Sequence, residues 1–301
     1  MNLRTYLFPL ALFAVTVLTA SANAELVVHY TLDDDGAGAV STVNSGSSGH
    51  TWNGTANVNS VAGKFGEAGA FQVADPASDW WSNADTGANL ELFTLSLHIN
   101  TTTALNWQDF ASIGDGNASS FKFEQNAADR VSVYTDGTPG SGVAVSISGE
   151  GGPSVNDGAW HHLAMVSNGS TIELFVDGIS RGSEAYTGTG DIVALQLAAA
   201  FGAGRRQNVT IDDVAVYDVA LNAAQISYLG NNVANNTASN TGSVLLGDVN
   251  LDGVVDFSDI TPFITVLSNS TNQAEADCNE SGAVDFSDIT PFIAILSNQG
   301  S

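Results

Sequence analysis

Two stretches near the C-terminus carry oxygen-bearing side chains at the spacing that wraps a hard divalent cation. In the first, Asp248, Asn250, Asp252, Val254, Asp256 and Asp259 stand at positions 1, 3, 5, 7, 9 and 12 of a loop, with Gly253 at position 6. In the second, Asp277, Asn279, Ser281, Ala283, Asp285 and Asp288 hold the same positions, with Gly282 at the sixth. Calcium takes about six to eight oxygens, several from short carboxylate or amide side chains, and alternate residues of a tight loop point inward. Position 7 offers its backbone carbonyl, which frees its side chain to be Val or Ala. Position 6 must turn sharply, which glycine does without strain. Gly253–Asn269 (GVVDFSDITPFITVLSN) recurs as Gly282–Asn298 (GAVDFSDITPFIAILSN), identical at 14 of 17 positions. A single acidic turn is ordinary surface chemistry; a duplicated one with matched glycines is a repeated metal loop.

Such loops need elements to hold them closed. Phe257, Ile260, Phe263, Ile264 and Leu267 recur at helical spacing, so a helix should leave the first loop, and its copy the second. The Phe257/Ile260/Ile264 face is expected to pack on Phe286/Ile289/Ile293. Pro262 and Pro291 should lie in the first turn, with Thr261 and Thr290 as N-caps. No helix is expected ahead of the first loop, because residues 231–244 are Asn/Ser/Thr-rich without apolar period and read as a linker.

Two loop–helix units with Asp at position 12 resemble a type I dockerin over Leu245–Asn298. The resemblance implies two calcium ions and docking onto a cohesin-like domain or another surface protein. It also implies that loop positions 10 and 11 contact that partner. Here these are Phe257–Ser258 and Phe286–Ser287. The family often has a small hydroxyl pair there, so each Phe either modifies the docking surface or packs one helix on the other.

Composition narrows the partners. Seven Lys/Arg face 32 Asp/Glu, for a net charge of −25 over 301 residues. Such a chain is repelled by nucleic acid and by anionic membranes. Residues 1–24 read as a secretory signal: Arg4 supplies the positive end, Tyr6–Ala20 is apolar but short for a span, and Ala22-Asn23-Ala24 is a cleavage site. The expectation is a secreted, extracellular or cell-surface bacterial protein without membrane insertion. Cys278 is the sole cysteine, so no intrachain disulfide forms. At position 2 of its loop it is expected to point outward as an incidental thiol.

Residues 25–230 read as one strand-rich domain. Leu26–Leu32, Leu92–Ile99, Val131–Thr135, Val143–Ser148 and Val209–Tyr217 follow strand periodicity. Asn168-Gly169 between HHLAMVS and TIELFV predicts a type I′ hairpin, Asp177-Gly178 a further reversal, and only Val219–Leu229 reads as helix. Many antiparallel strands with little helix mean a sandwich or barrel. Gly66–Phe71 (GEAGAF), Asp157–Ala164 (DGAWHHLA) and Ile211–Leu221 (IDDVAVYDVAL) resemble a laminin-G-like domain of the concanavalin A-like lectin/glucanase superfamily. That resemblance implies a two-sheet jelly roll. The expected fold class is therefore a mainly β antiparallel jelly-roll sandwich, followed over 245–301 by a small all-α domain of two calcium loop–helix repeats.

Catalytic signals are absent from the motifs. The Glu-x-Asp-x-x-Glu strand of retaining glucanases in that superfamily has no counterpart, and Glu91, Glu124, Glu150, Glu173 and Glu184 are scattered. His161 and His162 are adjacent on a strand and must face opposite sides. Trp80 and Trp81, in the polar stretch Asp75–Asn89, are the aromatic candidates for stacking on a sugar. Asp212 and Asp213 are candidates for one structural calcium in the sandwich, with one of the two expected to face solvent. The reading is a non-catalytic carbohydrate- or protein-binding domain docked through its tail. Its rivals are a polysaccharide hydrolase with an unrecognised active site and a structural surface protein.

Overall fold

The computed structural model describes residues 25–36, 38–52, 58–73, 80–82, 84–116, 120–135, 145–199, 205–235, 246–250, 255–269, 273–279, 281 and 284–298. The expected signal segment lies outside them. Two antiparallel sheets stack over one core. The larger orders β12 (Ile179–Ala185), β11 (Thr171–Val176), β10 (Trp160–Asn168), β5 (Leu92–Asn100), β14 (Val209–Tyr217), β3 (Glu67–Phe71) and β2 (Asn59–Ala62), with β1 (Leu26–Tyr30) also paired to β14. The smaller orders β4 (Trp80–Ser82), β13 (Ala194–Leu197), β6 (Gln108–Gly114), β7 (Phe121–Gln125), β8 (Val131–Thr135) and β9 (Val145–Ile147). This is the expected jelly-roll sandwich.

Period-two alternation decides which side chains meet. Leu95, Leu97 and Ile99 of β5 and Leu163 and Met165 of β10 face Phe121 and Phe123 of β7 and Val131 and Val133 of β8 in one continuous core. Intervening residues of β10, Ala164 and Val166, turn to the outer face of the larger sheet. There they pack with Leu26, Phe175 and Tyr217 under α1 (Ala223–Leu229). That helix starts at Asn222, whose side chain accepts the Gln225 N–H while Gln225 returns to the Asn222 N–H. This reciprocal cap begins the helix four residues later than the expected Val219.

The hairpin turns divide differently from their expected chemistry. A type I′ turn needs positive φ at both central residues. Asp177 and Gly178 meet this at 54° and 75°, and they alone separate β11 from β12. At Asn168-Gly169 only the glycine is in the left-handed region, at 84°. The Asn168 side chain instead accepts the N–H groups of Ser170 and Thr171 and braces a different reversal.

The expected linker also begins later. Asn231 and Asn232 N–H groups donate to the Tyr228 carbonyl, the Ala234 N–H donates to Asp213, and Tyr217 donates to the Asn235 carbonyl. Ala234 is buried in the cluster under α1. The Asn side chains that read as linker composition add to the anchoring: Asn231 and Asn232 donate to the Ser227 and Tyr228 carbonyls, and Asn235 to the Tyr228 hydroxyl.

In the tail, a 3₁₀ turn over Phe257–Asp259 runs into α2 (Ile260–Asn269), and Phe286–Asp288 runs into α3 (Ile289–Asn298). The caps are Asp256 and Asp285 rather than Thr261 and Thr290. Pro262 and Pro291 are third in their α-helices, within the turn whose N–H groups lack intrahelical acceptors. Phe263 and Phe292 stack at 4.0 Å and 5°, and Val249, Val266, Ala276 and Cys278 close around them. The expected packing face is thereby corrected. Phe257 and Phe286 are 81 % and 80 % exposed, and Ile264 and Ile293 are also exposed. Cys278 is corrected too: it is buried, matching Val249 at position 2 of the first loop. Position-2 side chains turn away from the loop centre, and in this fold that direction is the tail core.

Candidate functional site

The two loops close in the same way. Asp259 sits at position 12, fully buried, and its Oδ1 accepts the Asn250 N–H at 2.9 Å while Oδ2 accepts the Asp256 N–H at 2.9 Å. Asp288 repeats this with Asn279 at 3.0 Å and Asp285 at 2.9 Å. One carboxylate thus draws positions 3, 9 and 12 into a ring. Asn250 Nδ2 donates to Ser258 Oγ at 2.6 Å, and Asn279 Nδ2 to Ser287 Oγ at 2.5 Å. The hydroxyl beside each exposed Phe is therefore fastened to a loop residue. Asp256 and Asp285 are held below the usual carboxylate range by the Ser258 and Ser287 hydroxyls and N–H groups.

The donor set fits calcium for an electrostatic reason. Residues 246–298 contain nine Asp or Glu and no Lys, Arg or His. Four of the carboxylates, Asp248, Asp259, Glu275 and Asp288, are buried. Buried carboxylates require a counter-charge, and this tail has no side chain to supply one. A hard dication supplies it through oxygen ligands. Asp252, Val254 and Ala283 lie outside the described residues. Among the described residues no three His, Cys, Asp or Glu come together as a metal set.

The sandwich holds polar clusters that the sequence did not single out. Ser45 Oγ lies 2.7 Å from His29 Nδ1, and His29 Nε2 lies 2.7 Å from Asp213 Oδ1. That is the order of a nucleophile–base–acid triad, with the two imidazole nitrogens exchanged. An acyl-transfer site also needs N–H donors aimed at a developing oxyanion. Here the N–H groups of Ser45, Gly46, Ser47 and Ser48 donate to His29 O, Asn44 Oδ1, Leu26 O and Val27 O. A Cβ on Gly46 would fall 2.5 Å from Val27 O, so this loop lies directly on β1. The trio fastens a loop to β1 and β14.

Asp212 and Asp213 are both buried, which corrects the expectation that one faces solvent. The cause is a bulge: Asp213 has φ 51°, and the β14–β5 register shifts between Asp212 and Ala215. Asp212 Oδ2 accepts the N–H groups of Lys64 and Phe65 at 2.7 and 2.9 Å, yet burial outweighs them and pushes its carboxyl up to about 7. His161 and His162 face opposite sides as expected. Asp177 accepts from His161 at 2.9 Å and raises its pKa. His162 packs 4.8 Å from the His98 ring, and burial keeps both below the usual imidazole range.

Residues 69–227 match the family model of the concanavalin A-like lectin/glucanases superfamily. The chain belongs to that superfamily. Residues 246–297 of this lectin-like chain match the type I dockerin domain. Among solved structures, the binding domain of Paraclostridial Mosquitocidal Protein 1 aligns at TM-score 0.52 and 14 % identity, over 69 % of this chain and 52 % of that one. Domain 4 of AbnA, a GH43 extracellular arabinanase from Geobacillus stearothermophilus, was solved with arabinotriose. It aligns at 0.51 and 15 %, over 69 % of this chain and 100 % of that one. The chain thus spans about half of the mosquitocidal-protein binding domain and the whole of the arabinanase domain. At these identities the likeness is one of fold. No curated protein matches the chain.

Trp80 and Trp81 lie on β4, the strand at the edge of the smaller sheet. Trp81 stands opposite Gln196 and Trp80 opposite Leu197; their side chains lie outside what is described. No helix among the described residues is long and apolar enough to cross a membrane.

Proposed function

We propose that the protein is an extracellular carbohydrate-binding module that a calcium-loaded dockerin docks to a cohesin-like partner. The observation that carries the docking half is the reversal of the helix faces. Phe263 and Phe292 close the tail core, while Phe257–Ser258 and Phe286–Ser287 stand exposed in two equivalent copies, each fastened to its metal loop. A Phe that packed one helix on the other would be buried. Two ions are expected, one per loop, held by the six named positions of each. A third ion in the sandwich would fall at Asp212, whose Oδ1 is buried without a hydrogen-bond partner. Asp213 is occupied by His29 and Ala234. Export through the N-terminal segment completes the reading.

The hydrolase rival has one observation in its favour. Asp109 of β6 and Glu124 of β7 are directly opposed across strands, and retaining or inverting glycosidases need two neighbouring carboxylates. Asp109 is 0 % and Glu124 2 % exposed, and Glu124 is ion-paired to Arg205. Carboxylates so covered do not reach a glycosidic oxygen, which favours binding over cleavage.

Titration of the whole chain with a purified cohesin domain, in calcium and in chelator, tests docking. Calcium-dependent binding that Phe257→Ala with Phe286→Ala weakens is expected; binding that survives chelation would overturn it. Reducing-sugar release from a neutral polysaccharide panel would reinstate the hydrolase.

A further inference from the structure

The smaller sheet turns one face to the core and the other away from it. On the outer face, strand register sets Gln196, Ser112, Lys122, Tyr134 and Ser146 in one row, and Asp109, Glu124 and Ser132 in the next. Their in-facing neighbours, such as Phe121, Phe123, Val131 and Val133, are core. Where the rows reach β8 and β9, a cavity of about 480 Å³ opens between Trp107, Glu124, Ser132, Tyr134 and Arg205. That volume lies within the range of about 300–1,000 Å³ common to small-ligand sites.

Trp107 is the unusual member. Its φ is 63°, in the left-handed region where a bulky side chain is an outlier. Its N–H donates to Gln125 O at 2.7 Å, and the residue is 54 % exposed. The fold therefore holds a strained backbone in place while leaving the large apolar ring in solvent. Strain of this kind gathers at ligand-binding positions. Beside it the polar side of the cavity is ordered. Arg205 pairs with Glu124, Ser132 Oγ donates to Glu124 O at 3.3 Å, and Lys122 Nζ lies 5.6 Å from the centre of the Tyr134 ring.

An apolar ring on one side and a guanidinium–carboxylate pair with hydroxyls on the other match one class of small molecule. A sugar ring has an apolar face of C–H bonds and a rim of vicinal hydroxyls. The first packs on an aromatic ring. The second pairs with the fork of donors on Arg. Charge narrows the class. Arg205 is already compensated by Glu124, and a chain of net charge −25 repels polyanions.

We propose that this cavity is a saccharide subsite that takes neutral sugar units, with Trp107 as platform and Arg205, held in place by its pair with Glu124, as hydroxyl donor. The proposal rests on the carbohydrate-binding reading above and adds its place and ligand class. The test uses the whole chain with arabino-, xylo-, gluco- and mannotriose, and trigalacturonate as the charged control, in isothermal titration. Trp107→Gly is the informative variant, because glycine adopts the left-handed region freely and removes the strain together with the ring. At least one neutral trisaccharide is expected to bind, unaffected by raising salt. Trp107→Gly should then weaken it by about tenfold or more, at an unchanged or higher melting temperature. Equal binding by wild type and Trp107→Gly would overturn the subsite and leave the carbohydrate reading standing. Salt-sensitive preference for trigalacturonate would overturn the ligand class. A wild-type chain that binds none of these sugars would overturn the carbohydrate reading and the subsite with it.

Discussion

Replacing Phe263 by Ala should nearly abolish the folded tail, while the same change at Phe257 should leave it intact. The two phenylalanines are six positions apart on one loop–helix unit, so composition and propensity barely distinguish them. Phe263 is 3 % exposed and stacks on Phe292 at 4.0 Å; Phe257 is 81 % exposed. Truncating a buried Phe costs about 3–5 kcal/mol, from lost transfer energy and the cavity left behind. A domain the size of residues 246–298 has roughly 3–8 kcal/mol in total, at about 0.05–0.15 kcal/mol per residue. Phe263→Ala therefore removes about half of the stability or all of it. Phe257→Ala removes area already in water and should stay within about 0.5 kcal/mol. Scanning calorimetry of the whole chain in saturating calcium reads both, since the sandwich and tail have separate cores and should melt as two transitions. Loss of the tail transition in Phe263→Ala alone is expected. Equal losses in the two variants would refute the assignment of faces, and with it the exposed docking surface.

Three further outcomes follow from the same structure. Chelation should remove the tail transition and leave that of the sandwich, because nine acidic residues then share a small domain with no cationic side chain; a tail that melts unchanged in excess chelator would exclude a structural ion. Asp259→Asn keeps the shape but halves the acceptors, leaving the Asn250 or Asp256 N–H unpaired at about 1–3 kcal/mol, and calcium titration should then show one of two sites weakened. Burial lowers His50 to about 4 and holds His98 and His162 below their usual range, so each binds its proton less tightly folded than unfolded. Their contribution is complete above about 6.5 and is lost as pH falls toward 4. Asp212, raised to about 7, has the opposite sign: its contribution is present below about 4 and lost as pH rises through 7. In chelator, Asp212→Asn should therefore steepen the acid loss of the sandwich transition between pH 6.5 and 4, and an unchanged slope would show that Asp212 is not protonated in the fold.

What could be read from the chain followed the range of each interaction. The loop–helix repeat was legible because it is a local pattern: Asp259 and Asp288 close their loops onto N–H groups no more than nine positions away. Val131–Thr135 and Val209–Tyr217 were legible to the residue, because a strand with one face in the core alternates at period two. The helix faces of the tail were not. Phe257 belongs to a 3₁₀ turn capped by Asp256, and a turn of three residues has a different phase from the α-helix that follows. Counting at 3.6 residues from Phe257 therefore selected the exposed face. The bulge at Asp213 defeated the alternation rule in the same manner, by one extra residue.

The cavity on the smaller sheet was illegible for a different reason. Trp107 sits before β6, Glu124 within β7 and Arg205 before β14, and Arg205 and Glu124 are 81 residues apart. No local pattern marks them, and Glu124 stood in the sequence as one of several scattered acids. Register alone assembles them: β6 pairs with β7, which sets Asp109 beside Glu124, and the Asp109 N–H donates to Arg205 O at 3.0 Å, which brings the guanidinium to the carboxylate. The positive φ of Trp107 leaves no trace in residue type, since Trp is among the side chains least suited to it. The proposed docking chemistry is encoded locally, in a duplicated loop, and the proposed ligand chemistry non-locally, in the pairing of strands. A duplicated loop can be copied and moved with its function intact. The proposed sugar subsite depends on the register of β6, β7 and β8, and a one-residue slip there would turn Glu124 and Ser132 to the opposite face of the sheet.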